Sequence, residues 1–229
     1  MSLKSVPRPA DADLEARPRE GAGRPRARRR APGQERAVRP TTVVPTGVER
    51  RFGEDEVIVT KTDLQGRLTY ANDVFLRVSA YPEEAMLGQP HSMIRHPEMP
   101  RCVFRLLWDT LREGRELFAY VINLAGDGAH YWVLAHVTPS RGADGTVIGY
   151  HSNRRLPSAS ALAEIRPLYA RLLQEEARHA RPADAIAAST RLLEAELAER
   201  GLDYDRFLWS LAGSARTAPA ARAALGSAA

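Results

Sequence analysis

The chain has 229 residues, of which 44% are hydrophobic, with a single cysteine and a formal net charge of +5. This length and composition predict one packed domain with extensions, and one cysteine excludes an internal disulfide and a cysteine-rich zinc site. No apolar run approaches the roughly 20 residues that span a bilayer, and the N-terminus has no apolar signal core. We therefore expect a cytoplasmic protein with no membrane span.

The positive charge is concentrated at the N-terminus. Residues 1–50 hold 12 Lys+Arg and 6 Asp+Glu, which leaves 21 basic and 22 acidic residues for the rest of the chain. Because this segment is rich in Pro, Arg, Gly and Ala and poor in large apolar residues, it predicts a disordered tail over 1–50. Such a tail can hold polyanions nonspecifically or remain a solvated extension, and no specific nucleic-acid partner is predicted.

The first elements are a hairpin and two short helices. Residues 56–61 and 67–71 have strand composition and flank turn residues 63–66. Asn72 is a suitable N-cap for a short helix, and Pro82 followed by two glutamates begins another. Apolar residues at helical spacing then predict a longer helix from about Val103 to Gly114.

Three further strands are predicted, at roughly 116–124, 129–139 and 146–155. Glycine-containing hairpin signals separate them. Two strands, short helices and then three strands predict an α+β fold, in which helices cover a face of an antiparallel sheet. Along the second of these strands Tyr131 and Trp132 fall on opposite faces, and the alternation does not decide which face is inward.

From Pro157 onward the composition is typical of helices. We predict a helical extension over 158–215, with apolar stripes, and a frayed tail over 216–229. The stripes suit either packing within the chain or a contact with a signalling partner, so both interpretations stay open.

The loop over residues 90–100 concentrates unusual chemistry. It holds two histidines, an arginine and a glutamate between three prolines, and the prolines stiffen it. It suits either a fixed pair of cations facing an anionic ligand or a connector in which Arg95 pairs with a neighbouring acid.

The order of motifs carries a family resemblance. The segments 62–75, 79–88, 130–135 and 149–152 resemble a PAS sensory domain. With Arg95-His96-Pro97-Glu98-Met99-Pro100 between them, the chain resembles the PAS domain of bacterial aerotaxis receptors over roughly residues 55–157. The resemblance implies a PAS domain over 51–157, built as a five-stranded antiparallel sheet with short helices on one face, that binds FAD noncovalently and senses redox state.

The resemblance also implies which residues contact the cofactor. Arg95 and His96 are the expected charge partners of FAD, and Glu98 stands where the family usually has aspartate. The expected polar contacts are Asn72 and Asn123, and the aromatic residues expected to line the flavin slot are Phe75, Phe104 and Trp132. Ordinary core packing for the aromatics and N-capping for Asn72 are the alternatives. The family's tryptophan position falls on Leu117, with Phe118 as a replacement if the register is shifted.

These observations predict a cytoplasmic PAS sensor that binds FAD and senses redox state or oxygen. We expect its signal to pass through the C-terminal helices to a signalling protein, with a homodimer as one candidate assembly. No catalytic or metal-binding motif is found, and Cys102 lacks the sequence context of light-oxygen-voltage domains, so we predict neither an enzyme nor a metalloprotein. The alternative is a cofactor-free PAS module for interaction or dimerisation.

Overall fold

The structure, a computed structural model, describes residues 43–214. Its centre is a five-stranded antiparallel sheet of order β2-β1-β5-β4-β3. The strands are β1 (Ile58–Thr62), β2 (Leu68–Ala71), β3 (Leu117–Leu124), β4 (His130–Arg141) and β5 (Val147–Arg155). The predicted α+β class and five-stranded sheet are confirmed. Of the tail predicted over 1–50, residues 1–42 lie outside the described residues, and so does the frayed end predicted over 216–229.

Local turn chemistry accounts for the hairpins. Between β1 and β2, Gly66 adopts a φ of 76°, and the Asp63 carboxylate accepts hydrogen bonds from the backbone N–H groups of Gln65 and Arg67. Between β4 and β5, Gly145 has a φ of 81°. Glycine adopts this left-handed conformation without a Cβ penalty, which allows the tight reversals between strands.

Short helices cover the inner face of the sheet, which carries Ala135 and Val137. They lie between β2 and β3 in the chain: α1 (Asp73–Ser79), α2 (Glu83–Met86), a 3-10 helix (His91–Ile94) and α3 (Arg101–Arg112). Phe75, Met86 and Ile94 belong to these helical segments, and all three are buried in the core. This face therefore holds the core of the predicted PAS region.

Three further helices follow β5: α4 (Ala159–Ala177), α5 (Pro182–Glu199) and α6 (Tyr204–Ser214). The Tyr169 hydroxyl of α4 donates to the backbone oxygen of Tyr120 on β3 at 2.6 Å. Helix α5 packs against both α4 and α3. Since helices lie against both faces of β3, almost every residue of this edge strand is buried.

The chain contacts the sheet before the predicted domain boundary at residue 51. The backbone N–H of Thr46 donates to Gly128, and Val48 and Arg50 exchange backbone hydrogen bonds with His130 at the start of β4. In residues 43–214, no helix combines the length and apolar content that a bilayer crossing requires.

Candidate ligand-binding site

A cavity of about 460 Å³ lies between the inner face of the sheet and the segment formed by the 3-10 helix and α3. Its apolar walls come from Ile94, Phe104, Leu107, Trp108, Leu111, Val121, Ala135 and Val137. Trp108 packs edge-on against Tyr150, with ring centroids 5.4 Å apart. Such a volume with mostly apolar walls is typical of a small-molecule site.

Three buried polar atoms without a protein hydrogen-bond partner belong to sheet residues that line this cavity. They are Nδ2 of Asn123 on β3, and Oγ of Ser152 and Nη1 of Arg154 on β5. The strand between them, β4, contributes only Ala135 and Val137 to the cavity, opposite Arg154 and Ser152 respectively. A buried donor without a partner costs about 1–3 kcal/mol, so the cavity is complementary to a ligand with several acceptor atoms.

Arg154 is the most unusual of these groups. The residue is only 4% exposed, and burial lowers the pKa of its guanidinium to about 10, so it remains a cation at neutral pH. Nη2 donates to Thr60 Oγ1 at 2.9 Å, and the guanidinium lies 5.7 Å from the ring of Phe75. No carboxylate within residues 43–214 forms an ion pair with it.

His91, at the start of the 3-10 helix, accepts a hydrogen bond from Arg154. Its Nε2 lies 2.6 Å from Nη2 of Arg154. Burial, followed by the charge of Arg154, lowers the pKa of His91 well below its ordinary value. The ring is therefore neutral and Nε2 is the acceptor, which assigns the ring proton to Nδ1.

A second positive region lies where the loop meets α3. Arg95 packs over the Phe104 ring, with its guanidinium carbon 4.4 Å from the ring centroid, and the cavity is also lined by Arg101 and Arg105, one turn apart on α3. Burial and the neighbouring Arg101 lower the pKa of Arg95, while Glu176 acts in the opposite direction. This cluster suits an anionic group, and the cavity thus combines apolar walls, buried donors and cations.

Of the predicted site residues, the structure brings Arg95, Phe104 and Asn123 to the cavity. Asn72 does not line it, because its side chain is occupied elsewhere. Its Oδ1 accepts from the N–H groups of Val59 and Phe75, and its Nδ2 donates to Val57. The N-cap interpretation of Asn72 describes these contacts fully.

Phe75, His96, Glu98 and Trp132 also lie outside the cavity lining. Phe75 is fully buried behind His91, with ring centroids 6.2 Å apart. His96 accepts a hydrogen bond from the Glu98 N–H at 3.1 Å, which closes the loop on itself, and the side chain of Glu98 is exposed. Trp132 lies on the outer face of the sheet, against Tyr169 of α4.

Phe118 does not replace the family's tryptophan. It lies on the outer face of the sheet, stacked on His136 with centroids 4.1 Å apart. Leu117, at the position of the family's tryptophan, has the same orientation in β3 as the inward-facing Val121 and Asn123. The aromatic contribution to the cavity comes instead from Phe104 and Trp108 on α3 and from Tyr150 on β5.

Sequence reasoning missed Arg154, Ser152 and His91 as site residues. Along β5, Ser152 and Arg154 share one face, and Asn153 and Arg155 share the other. Both pairs are polar, so the sequence does not show which pair is exposed. The only available signal was the shared orientation of Tyr150, Ser152 and Arg154 along β5, which becomes informative once the inner face is known. No cluster of three or more histidine, cysteine or acidic residues within 43–214 is arranged to hold a metal ion.

Residues 54–152 match the PAS fold family, so this part of the chain is a PAS domain. The chain is 40% identical over 118 residues to the aerotaxis receptor of Escherichia coli strain K12, which covers 52% of this chain and 23% of that protein. It is 30% identical over 110 residues to a nitrogen fixation regulatory protein of Klebsiella pneumoniae, covering 48% of this chain and 22% of the relative. The chain thus spans about a quarter of the length of these relatives.

A PAS domain of a Colwellia psychrerythraea protein is a solved structure of similar fold. It is 22% identical and aligns with a TM-score of 0.40, over 43% of this chain and 84% of that one.

Proposed function

We propose that this protein is a cytoplasmic PAS sensor that binds FAD in the cavity, senses redox state or oxygen, and relays the signal through its C-terminal helices. The observation that carries the proposal is the set of partnerless donors of Asn123, Ser152 and Arg154 around an apolar cavity. The likeness to the aerotaxis receptor family, whose PAS domains bind FAD, supports the same ligand.

The residues present fit a flavin. The isoalloxazine ring needs an apolar slot and donors for the oxygen atoms of its pyrimidine edge. Phe104, Leu107 and Trp108 supply apolar contacts on α3, and Asn123, Ser152 and Arg154 would donate to the polar edge. Arg95 and Arg101 would hold the diphosphate, since arginine forms charge-assisted hydrogen bonds with phosphate oxygens. Bound FAD supplies reversible two-electron redox chemistry.

The proposed relay follows the chain. Arg154 lies next to the last residue of β5, and α4 begins a few residues later, at Ala159. Ser158 caps α4 by accepting a hydrogen bond from the Ala161 N–H at 3.2 Å. A change in the charge of a ligand that contacts Arg154 is therefore close to the start of α4, where it can bias how the helix packs.

The test is an absorption spectrum of the purified full chain, followed by titration of the apoprotein with FAD, FMN and riboflavin. We expect a yellow protein that releases FAD on denaturation and binds FAD more tightly than riboflavin, because riboflavin lacks phosphate for the arginines. A folded, colourless protein that takes up none of the three overturns the proposal and favours the cofactor-free interaction module.

The redox part of the proposal has its own measurement. Hydrogen exchange of the oxidised and the reduced holoprotein should differ around residues 150–175, where β5 continues into α4. Equal protection in both states, with the flavin shown to be reduced, would remove the support for redox output while leaving FAD binding intact.

A further inference from the structure

The C-terminal helices are attached to the PAS domain at one chemically specific point, the N-terminus of α3. Pro100 precedes this helix and offers no side-chain cap. The Glu176 carboxylate of α4 takes that role, because its Oε1 accepts from the N–H groups of Arg101 at 2.7 Å and Cys102 at 3.2 Å. A carboxylate here satisfies two unpaired donors and complements the positive end of the helix dipole.

Helix α5 completes this contact and also reaches the cavity. The Ser189 hydroxyl donates to the same Glu176 oxygen at 3.0 Å. One turn earlier on the same side of α5, Ile186 is one of the residues that line the cavity. Residues three apart share a helix face, so this face of α5 contacts both Glu176 and the ligand cavity.

Arg101 links the two sites. Its backbone N–H donates to Glu176, while its side chain lines the cavity beside Arg95. The charge of Glu176 also acts on Arg95. A displacement of α4 and α5 would therefore leave the N-terminus of α3 uncapped, remove part of the cavity wall and change the electrostatic environment of its arginines.

We propose that α5, which lies outside the PAS domain, is a wall of the ligand site, with Ile186 as a ligand contact. FAD binding and the docking of α4 and α5 on α3 then stabilise each other. This inference rests on the proposed FAD function and adds to it that the extension is part of the binding site.

The coupling follows from linkage. If FAD contacts Ile186, it binds the docked arrangement more tightly than an undocked one, so bound FAD shifts the population towards docking. By the same relation, a substitution that weakens docking weakens FAD binding even when it does not touch the ligand. Glu176 is such a residue, since it contacts α3 and α5 rather than the cavity.

The experiment titrates FAD into the full-length apoprotein and four variants. Ile186→Ala removes the proposed contact, and Leu192→Ala is its control, a truncation on the same helix at a partly buried position that does not line the cavity. Glu176→Gln weakens the α3 cap, and Glu175→Gln, whose carboxylate pairs only with Arg178 and His179 among the described residues, is the control.

We expect Ile186→Ala to weaken FAD binding about tenfold, because three carbon atoms of the proposed ligand contact are lost, and Glu176→Gln to weaken it several-fold. Glu175→Gln should stay within about twofold of the parent, and Leu192→Ala, which can act only through docking, should weaken FAD binding less than Ile186→Ala. Hydrogen exchange of the unsubstituted protein provides a second measurement that needs no variant. FAD should increase protection across α4 and α5.

Equal affinities for Ile186→Ala and Leu192→Ala, or protection of α4 and α5 that FAD leaves unchanged, overturn this inference while FAD binding itself stands. A parent protein that binds no FAD overturns the proposed function, and that failure is recognised in the parent before any variant is compared.

Discussion

Nη2 of Arg154 lies 2.6 Å from Nε2 of His91, so a buried cation donates to a neutral, partly buried imidazole rather than to a carboxylate. Burying a cation without a counter-ion is costly, and His91 returns only one hydrogen bond. Nη1 of Arg154 has no protein partner, and Arg154 is one of the residues that line the cavity. Proteins keep such destabilising groups where a ligand uses them.

Arg154→Met should therefore separate ligand binding from stability. We expect FAD affinity to fall roughly ten- to a hundredfold, because a charge-assisted hydrogen bond is worth about 1.5–3 kcal/mol. The free energy of unfolding of the apoprotein should stay the same or rise, since a buried cation is replaced by an apolar chain. Arg155→Met is the control, because Arg155 is the exposed neighbour on the opposite face of β5. Equal FAD titrations for the two variants would show that Arg154 does not contact the flavin.

Arg95→Ala and His96→Ala should behave differently, although the residues are adjacent. Arg95 lines the cavity, so its loss should weaken FAD binding about tenfold or more with little effect on the melting temperature. His96 accepts the Glu98 N–H and lies outside the cavity, so its loss should lower the free energy of unfolding by about 1 kcal/mol and leave FAD affinity of the folded fraction nearly unchanged. Arg112→Ala, at the far end of α3, is the control for lost surface charge. The reverse ranking would mean that His96, rather than Arg95, contacts the cofactor.

His91 should make the apoprotein less stable in mild acid. Its pKa in the folded state is well below the ordinary value because of burial and the charge of Arg154, whereas in the unfolded chain it is about 6.5. Below about pH 6.5 the unfolded state binds the extra proton, so the free energy of unfolding falls by up to about 1.4 kcal/mol per pH unit from this residue. Denaturant titrations between about pH 5 and 8 should show a shallower dependence for His91→Gln, which lacks the titrating ring. Parallel curves for the two proteins would exclude His91 as the source.

Cys102 should be chemically inert in the folded protein. Burial raises the pKa of its thiol to about 11, which reduces the thiolate fraction at pH 8 about a hundredfold relative to an ordinary cysteine. Alkylation followed by intact mass should be slow in buffer and fast in denaturant, and the single cysteine makes the reading unambiguous. Since Cys102 does not line the cavity, illumination of the holoprotein should form no flavin–cysteine adduct. Rapid alkylation of the native protein would contradict the burial of Cys102.

Much of the fold could be predicted because the responsible interactions are local. Asn72 caps α1 through the Phe75 N–H three residues later, and glycines such as Gly66 and Gly145 permit the reversals between strands. The strand–helix–strand order, the helical C-terminal extension and the importance of the loop at Arg95 follow from such short-range signals and from the family resemblance.

The alternation of side chains along β4 does not distinguish the inner face of the sheet from the outer face. Tyr131 and Trp132 are adjacent in β4 and are 0% and 6% exposed, because short helices cover one face while α4 covers the other. A buried position is then apolar on either side, so the alternation does not show that Trp132, which the family resemblance places in the slot, packs against Tyr169 outside it. The orientation of the arginines on β5 was undetermined for the same reason.

By itself, the sequence determined the elements, their order and the stiff loop carrying Arg95, since propensity, capping and turn formation depend on neighbours along the chain. Only the tertiary structure decided that Arg154 faces the cavity and that Glu176 caps α3 across 75 residues of sequence. Both depend on which surfaces meet after folding. Burial and charge compensation are properties of the folded environment, and an arginine or a glutamate has the same sequence signature whether it is solvated or enclosed.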